Sequence, residues 1–270
     1  MTTHRKFLAG PLLISILAAA TCIGSIAATS GRAASLDESV EQYRSHLLAD
    51  VDSALASVLT LRASAAAGDV TAAKQAWLEA RVGWERSEIF TGRFVPVLDR
   101  AIDAWPNGAT GFHAIEGRLF GAGKADFEAE VNELVRNLSE LGAQARKTPL
   151  TLQGLLDGIV QLAYEVGESK VDGGESRVSG TSLNDMRYNL DGIDFAWRTI
   201  FASAVEARDP QLADVKRSIN ALKTMVSVSD LQHVDSDGLS AATEELVVKL
   251  QDAAPLLDLK KPALEAEAQQ

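Results

Sequence analysis

Apolar side chains recur every three or four residues along most of this chain, and that periodicity restricts what it can fold into. Across residues 36–67, LDESVEQYRSHLLADVDSALASVLTLRASAAA, the residues Val40, Tyr43, Leu47, Val51, Leu55 and Val58 keep this interval. It lines up one face of an α-helix, whereas a half-buried strand alternates every second residue. The same reading gives helices over 71–90, 124–146, 149–167, 182–206, 210–228 and 239–253. Gly68-Asp69 ends the first helix, and Pro96 suits the first turn of a short one reaching Trp105. Pro106-Asn107-Gly108 is a turn signal. Thr110 is placed to cap a helix carrying His113 and Glu116, and Ser182-x-x-Asp185 reads as a capping box. Strand patterns are almost absent. The expectation is an all-α fold of about eight helices in two packed bundles. The first bundle spans 36–147 and the second 148–255, and a flexible tail covers 256–270. The longest glycine- and serine-rich break is SKVDGGESRVSGTS, 169–182. Long loops inside compact domains are often functional.

The N-terminus follows another pattern. His4-Arg5-Lys6 is basic, residues 7–28 carry no charge, and Ser25-Ile26-Ala27 is a small-x-small site. This is the layout of a secretory signal, so residues 1–27 are expected to be removed on export. The apolar run is also long enough to span a bilayer, which leaves a retained anchor open. Ala19-Ala20-Thr21 before Cys22 is a poor lipoprotein signal. Cys22 is the sole cysteine, so the exported chain has no thiol for a disulfide-linked partner.

The 270-residue chain has a formal net charge of −11. Residues 1–34 hold three bases and no acid; without them 23 basic residues face 37 acidic ones, a net of −14. A surface so acidic repels phosphate backbones and anionic lipid, which sets nucleic acid and membrane-surface binding aside. It suits cations, and it equally serves solubility.

Acids also recur at helix-face spacing. Glu85 and Glu88 are three apart, Asp99 and Asp103 four apart, and His113 and Glu116 three apart. Residues at these intervals project from one side of a helix. Tight turns join the three segments, so the pairs can meet without a long loop. Past residue 27 the histidines are His46, His113 and His233. A metal site here must therefore be built mostly from carboxylates. Oxygen ligands with one imidazole suit iron, manganese or calcium, and zinc accepts the same set. A same-face acid pair is also what a solvated helix face looks like, and His-x-x-Glu alone is a weak motif. It is not the His-Glu-x-x-His of zinc peptidases, which is absent.

Three stretches in order, WERSE (84–88), LDRAID (98–103) and GFHAIEGRLFG (111–121), resemble the imelysin-like family. Within it the pattern is similar to the iron-uptake components of the EfeM and EfeO type. The stretch 165–192, with its Ser-Lys, Gly-Glu and Asn-x-Asp-Gly, resembles the family's second half. The resemblance implies a periplasmic two-bundle protein with a metal site in the cleft between the bundles. It implies a divalent or trivalent ion, iron, delivered to an inner-membrane permease, with a periplasmic peroxidase as a further partner. Carried over by position, the metal ligands are Glu85, Glu88, Asp99, Asp103, His113 and Glu116, and Glu175 is a weaker candidate. Ile89 and Gly92-Arg93 depart from the EfeO pattern, which has a proline and a further acid there. The resemblance is to the standalone EfeM form, which does without the cupredoxin-like N-terminal domain of full EfeO proteins.

Two other functions compete. A metallopeptidase needs an open metal position holding water with a base beside it, and Glu116 is the residue for that base. No nucleophile-base-orienter set stands out, so no catalytic residue is assigned. The other reading is a helical interaction protein that needs no metal.

Overall fold

The computed structural model describes residues 22–103, 108–202, 204 and 214–264, with side chains from residue 36 onward. Among them the chain is all-α. The helices are α1 (Cys22–Ala66), α2 (Val70–Phe94), α3 (Pro96–Ile102), α4 (Gly111–Glu116), α5 (Glu128–Lys147), α6 (Leu152–Glu168), α7 (Ser182–Ala196), α8 (Asp214–Met225) and α9 (Ser236–Ala253). Both α4 and α7 continue into a π-helical turn, Gly117–Gly121 and Trp197–Phe201. The expected signal segment lies outside the described residues up to position 21. So do Pro106-Asn107 of the expected turn, residues 205–213, and 265–270 of the tail. No helix among the described residues is long and apolar enough to cross a membrane.

Residues 1–38 and 39–270 form separate units. Of the first, 22–38 are described, as helix. In the second, α2 is the central helix. It packs on α6 and α7; α6 also meets α7 and α9, and α5 packs on α3 and α4. The apolar stripe read from α1 is buried at Tyr43, Leu47, Val51 and Val58. Trp77, Trp84 and Phe90 of α2 are fully buried, as are Leu155 and Ile159 of α6 and Leu190 and Ile193 of α7.

Close approach to α2 depends on missing side chains. A Cβ on Gly158 of α6 would lie 2.3 Å from the Ile89 carbonyl oxygen, and one on Gly192 of α7 2.8 Å from that of Arg86. Backbone this close leaves no room for a methyl group. Such contacts bring α6 and α7 against the face of α2 that carries the acids.

Two caps differ from expectation. Thr110 occupies the N-cap of α4, but its hydroxyl donates to the Ala101 carbonyl at 3.4 Å instead of capping the helix. The N-cap of α7 is Thr181, not Ser182, and no capping box forms. Asp185 instead accepts from Ser176 Oγ at 2.6 Å and Thr181 Oγ1 at 3.3 Å. A buried polar cluster has taken the acid that the local pattern assigned to the helix end. At the C-terminus, Gln153 of α6 holds both backbone groups of Lys260, at 3.0 and 2.8 Å.

Gly158→Ala is expected to destabilise the protein by about 1–3 kcal/mol, because the new methyl group overpacks a rigid contact. Gly92→Ala on α2, where an added Cβ meets nothing within 4 Å, is the control. It is expected to be neutral or to stabilise by about 0.5–1 kcal/mol. Urea denaturation of both variants checks the pair; equal effects would refute the close-approach argument.

Candidate metal centre

One face of α2 carries Trp77, Arg81, Glu85 and Glu88 at three- and four-residue intervals. Arg81 is 1% exposed. Its Cζ lies 5.6 Å from the ring centre of Trp77 and 5.3 Å from that of Phe112, within range for cation–π attraction. Four carboxylates surround its charge. Glu85 and Asp103 are in direct contact, Asp185 is at 3.4 Å and Glu175 at 3.6 Å. They come from α2, the end of α3, α7 and the 169–181 loop. A buried guanidinium is tolerated only with such pairing.

A second buried cation lies alongside. Lys170 Nζ is 2.8 Å from Glu85, 3.1 Å from Glu88 and 3.1 Å from Glu175. Asn189 of α7 donates through Nδ2 to Glu85 Oε2 at 2.9 Å and Glu88 Oε2 at 2.6 Å.

His113 adjoins this network. Its Nδ1 is 2.7 Å from Glu116 Oε2, and Glu116 Oε1 accepts from the Ser179 backbone N–H at 2.7 Å and hydroxyl at 2.6 Å. Both oxygens of Glu116 are thereby engaged, and the carboxylate ties His113 to the 169–181 loop. His113 Nε2 points the other way. It is buried and forms an ion pair with Asp103 Oδ2 at 3.3 Å, without hydrogen-bond geometry. Glu175 Oε1 and Asp185 Oδ1 are likewise buried without a hydrogen bond. Asp103, His113 and Glu175 each offer a ligand atom, and the three atoms lie within 4.8 Å of one another. A recess of about 190 Å³, lined by Leu78, Arg81, Thr181, Asn184, Asp185 and Tyr188, adjoins the cluster.

The acids outnumber the cations, and their protonation shows it. Burial raises Glu88 well above the usual carboxylate range, with Glu85 beside it adding to the shift. Burial likewise lifts Asp185 against the pull of Arg81. It raises Glu175 to about 8 and Asp99 to about 7, against the opposing effects of Lys170 and the Thr91 hydroxyl respectively. Burial also acts on Asp103, but Arg81 and His113 outweigh it and hold that carboxyl below the usual range. Burial disfavours a charged imidazole, yet Asp103 and Glu116 push His113 up to about 10. Some acids in the metal-free cluster thus keep protons near neutral pH, and so does His113.

The residues singled out in the sequence divide accordingly. Asp103, His113 and Glu175 come together. Glu116 adjoins them through His113, and Glu85 and Glu88 through Lys170. Asp99 accepts from the Thr91 hydroxyl and lies outside the three-ligand group. Sequence reasoning missed Arg81, Lys170, Asp185 and Asn189. Arg81 had a local signal, four residues before Glu85 on one helix face. Lys170 and Asn189 meet Glu85 across 85 and 104 residues, and Asp185 meets Arg81 across 104.

A family model described as Imelysin, of the peptidase M75 group, matches residues 39–110 and 106–257. An "Efem/EfeO family lipoprotein" of Staphylococcus haemolyticus is 28% identical over 238 residues, covering 82% of this chain and 80% of that protein. An "Iron uptake system component EfeM" of Bacillus subtilis is 30% identical over 146 residues, 52% of this chain and 38% of its own length. An "Efem/EfeO family lipoprotein" of Staphylococcus aureus is 31% identical over 161 residues, 54% of this chain and 55% of its own length. The chain therefore matches about half or less of the last two relatives.

Arg81→Met strands Glu85, Asp103 and Asp185 around an apolar side chain. It is expected to cost about 3–5 kcal/mol, the range for breaking a buried charge network from one side. Chemical denaturation measures this, and a loss below 1 kcal/mol would contradict the central role of Arg81. The pH dependence has a definite sign. The fold raises His113 from 6.5 to about 10, so its contribution is complete below pH 6.5 and lost as pH rises through about 10. Glu175, raised from 4.5 to about 8, acts in the same sense, complete below 4.5 and lost through about 8. The contribution of these two groups is expected to fall from about pH 4.5 to 10, and His113→Gln to flatten the part above about 6.5. Urea midpoints against pH provide the check.

Proposed function

The chain belongs to the imelysin family, and from that premise we propose that it binds iron as cargo outside the cytoplasmic membrane and passes it to a membrane permease. The observation that carries this reading is the convergence of His113 Nε2, Asp103 and Glu175, whose ligand atoms lie within 4.8 Å of one another. His113 Nε2 has only a 3.3 Å ion pair to Asp103 without hydrogen-bond geometry, and a cation taking the place of its proton would engage all three side chains. Names of similar proteins lend support: one is an iron-uptake component, and others are lipoproteins, which are exported.

The chemistry follows from the donor set. Carboxylate oxygens with one imidazole suit iron or manganese. Asp103, His113 and Glu175 form the inner set, and Glu85 and Glu88 are next in reach. Glu116 then acts through its hydrogen bond: it fixes the His113 ring so that Nε2 faces the ion, a common arrangement for metal-bound histidine. In the ion-free protein the His113 proton stands where the ion would bind. Loading therefore expels protons, and a fall in pH favours release. In this reading the ion lies between helices of the two halves of the chain, 36–147 and 148–255. An inner-membrane permease and a periplasmic peroxidase are the proposed partners. The peptidase alternative has less support, since Glu116, the base it needs, is occupied by His113 and Ser179.

Titration calorimetry with ferrous iron under anaerobic conditions, and with manganese(II), tests the proposal. Micromolar binding is expected, and at a hundredfold excess over Kd the ion should stabilise the fold by about 3 kcal/mol. A His113→Ala, Glu116→Ala double variant is expected to lose both effects. Wild-type protein giving no more heat than the double variant would discard the reading.

A further inference from the structure

Beside the three-ligand group sits a positive charge of the chain's own. An ammonium group has three N–H donors. Lys170 Nζ has three acids around it: Glu85 at 2.8 Å, Glu88 at 3.1 Å and Glu175 at 3.1 Å. Lys170 is 2% exposed, so this charge is held by the acids and not by water. One of them, Glu175, also belongs to the three-ligand group.

Two facts are hard to reconcile with an ion simply added to this arrangement. Three ligands are few for a hard ion that takes about six oxygen or nitrogen donors. The missing carboxylates are nearby, but Glu85, Glu88 and Glu175 are turned onto Lys170. An ion bound at Glu175 would also face an ammonium in contact with the same carboxylate.

We propose that Lys170 is a built-in competitor for the cargo: its ammonium fills the cation place among Glu85, Glu88 and Glu175, and a metal ion binds by displacing it. This rests on the metal-binding reading above. Displacement releases Glu85 and Glu88 from the ammonium, while Arg81 and Asn189 keep their hold on Glu85, and Asn189 on Glu88, so that both acids can turn toward the ion. The exchange also selects by charge. A monovalent ion replaces the ammonium one for one and gains little, whereas a divalent or trivalent ion adds charge where acids are in excess. The lysine stays attached and can return, which keeps binding reversible.

The surroundings permit the movement. Lys170 begins the 169–181 loop, in which Gly173 and Gly180 adopt left-handed backbone at φ 77° and 71°. Its backbone N–H makes only a long bond, 3.4 Å, to the Glu165 carbonyl. Beyond Glu88 is a cavity of about 50 Å³, lined among others by Glu88, Asp157, Gln161 and Glu165. It is large enough for water; Arg93 also lines it and pairs with Asp157 at 2.9 Å, so a displaced ammonium would share the cavity's acids with that guanidinium.

The test uses the full chain with manganese(II) as the redox-stable probe. Lys170→Met is expected to bind the ion at least about tenfold more tightly than wild type. In wild-type protein, amine acylation followed by peptide mass spectrometry should label Lys170 severalfold faster once the ion is saturating. Equal or weaker binding by a folded Lys170→Met would overturn the proposal, because a lysine that merely organises the ligands weakens the site when lost. Labelling that stays constant or falls on loading overturns it as well, and needs no variant. If neither protein binds, the metal-binding reading fails and this proposal with it. If wild type binds and Lys170→Met gains nothing, only the competitor role is lost.

Discussion

A guanidinium buried among four carboxylates holds this structure together at its centre. Arg81 draws an acid from its own helix, one from the end of α3, one from the 169–181 loop and one from α7. A charge removed from water is unfavourable unless opposite charge surrounds it. The elements that supply that charge are therefore constrained to meet. Two aromatic faces, Trp77 and Phe112, complete the enclosure and join the polar cluster to the hydrophobic core.

An arrangement that only stabilised the fold would match its charges. Here the acids exceed the cations, and burial makes some of them keep protons near neutrality. Asp103 and Glu116 push His113 up to about 10, and its Nε2 meets Asp103 only at 3.3 Å. Those features are what the proposed exchange of cations draws on. The family to which the chain belongs, and the iron-uptake and lipoprotein names of its relatives, lead in the same direction.

Much of this was visible in the order of residues. The three- and four-residue apolar spacing identified the helices, most with ends shifted by a few positions, although α1 begins at Cys22 and not at 36. The acid pairs of α2 and the His113–Glu116 pair were visible because helix geometry acts over three or four residues. Glu175 was marked only through the resemblance of its stretch to a known family. The caps show where local logic is overridden: Asp185 is spaced as a capping acid, but Ser176, Thr181 and Arg81 claim it.

The sequence by itself determined the helical class, the acidic character and the local pairs, because these depend on periodicity and composition. Only the tertiary structure decided which acids share a cation. Lys170 lies 85 residues from Glu85 and Asn189 lies 104 from it. No spacing rule connects residues so far apart. They meet because α6 and α7 pack closely on α2, through contacts that a glycine permits and a methyl group would block.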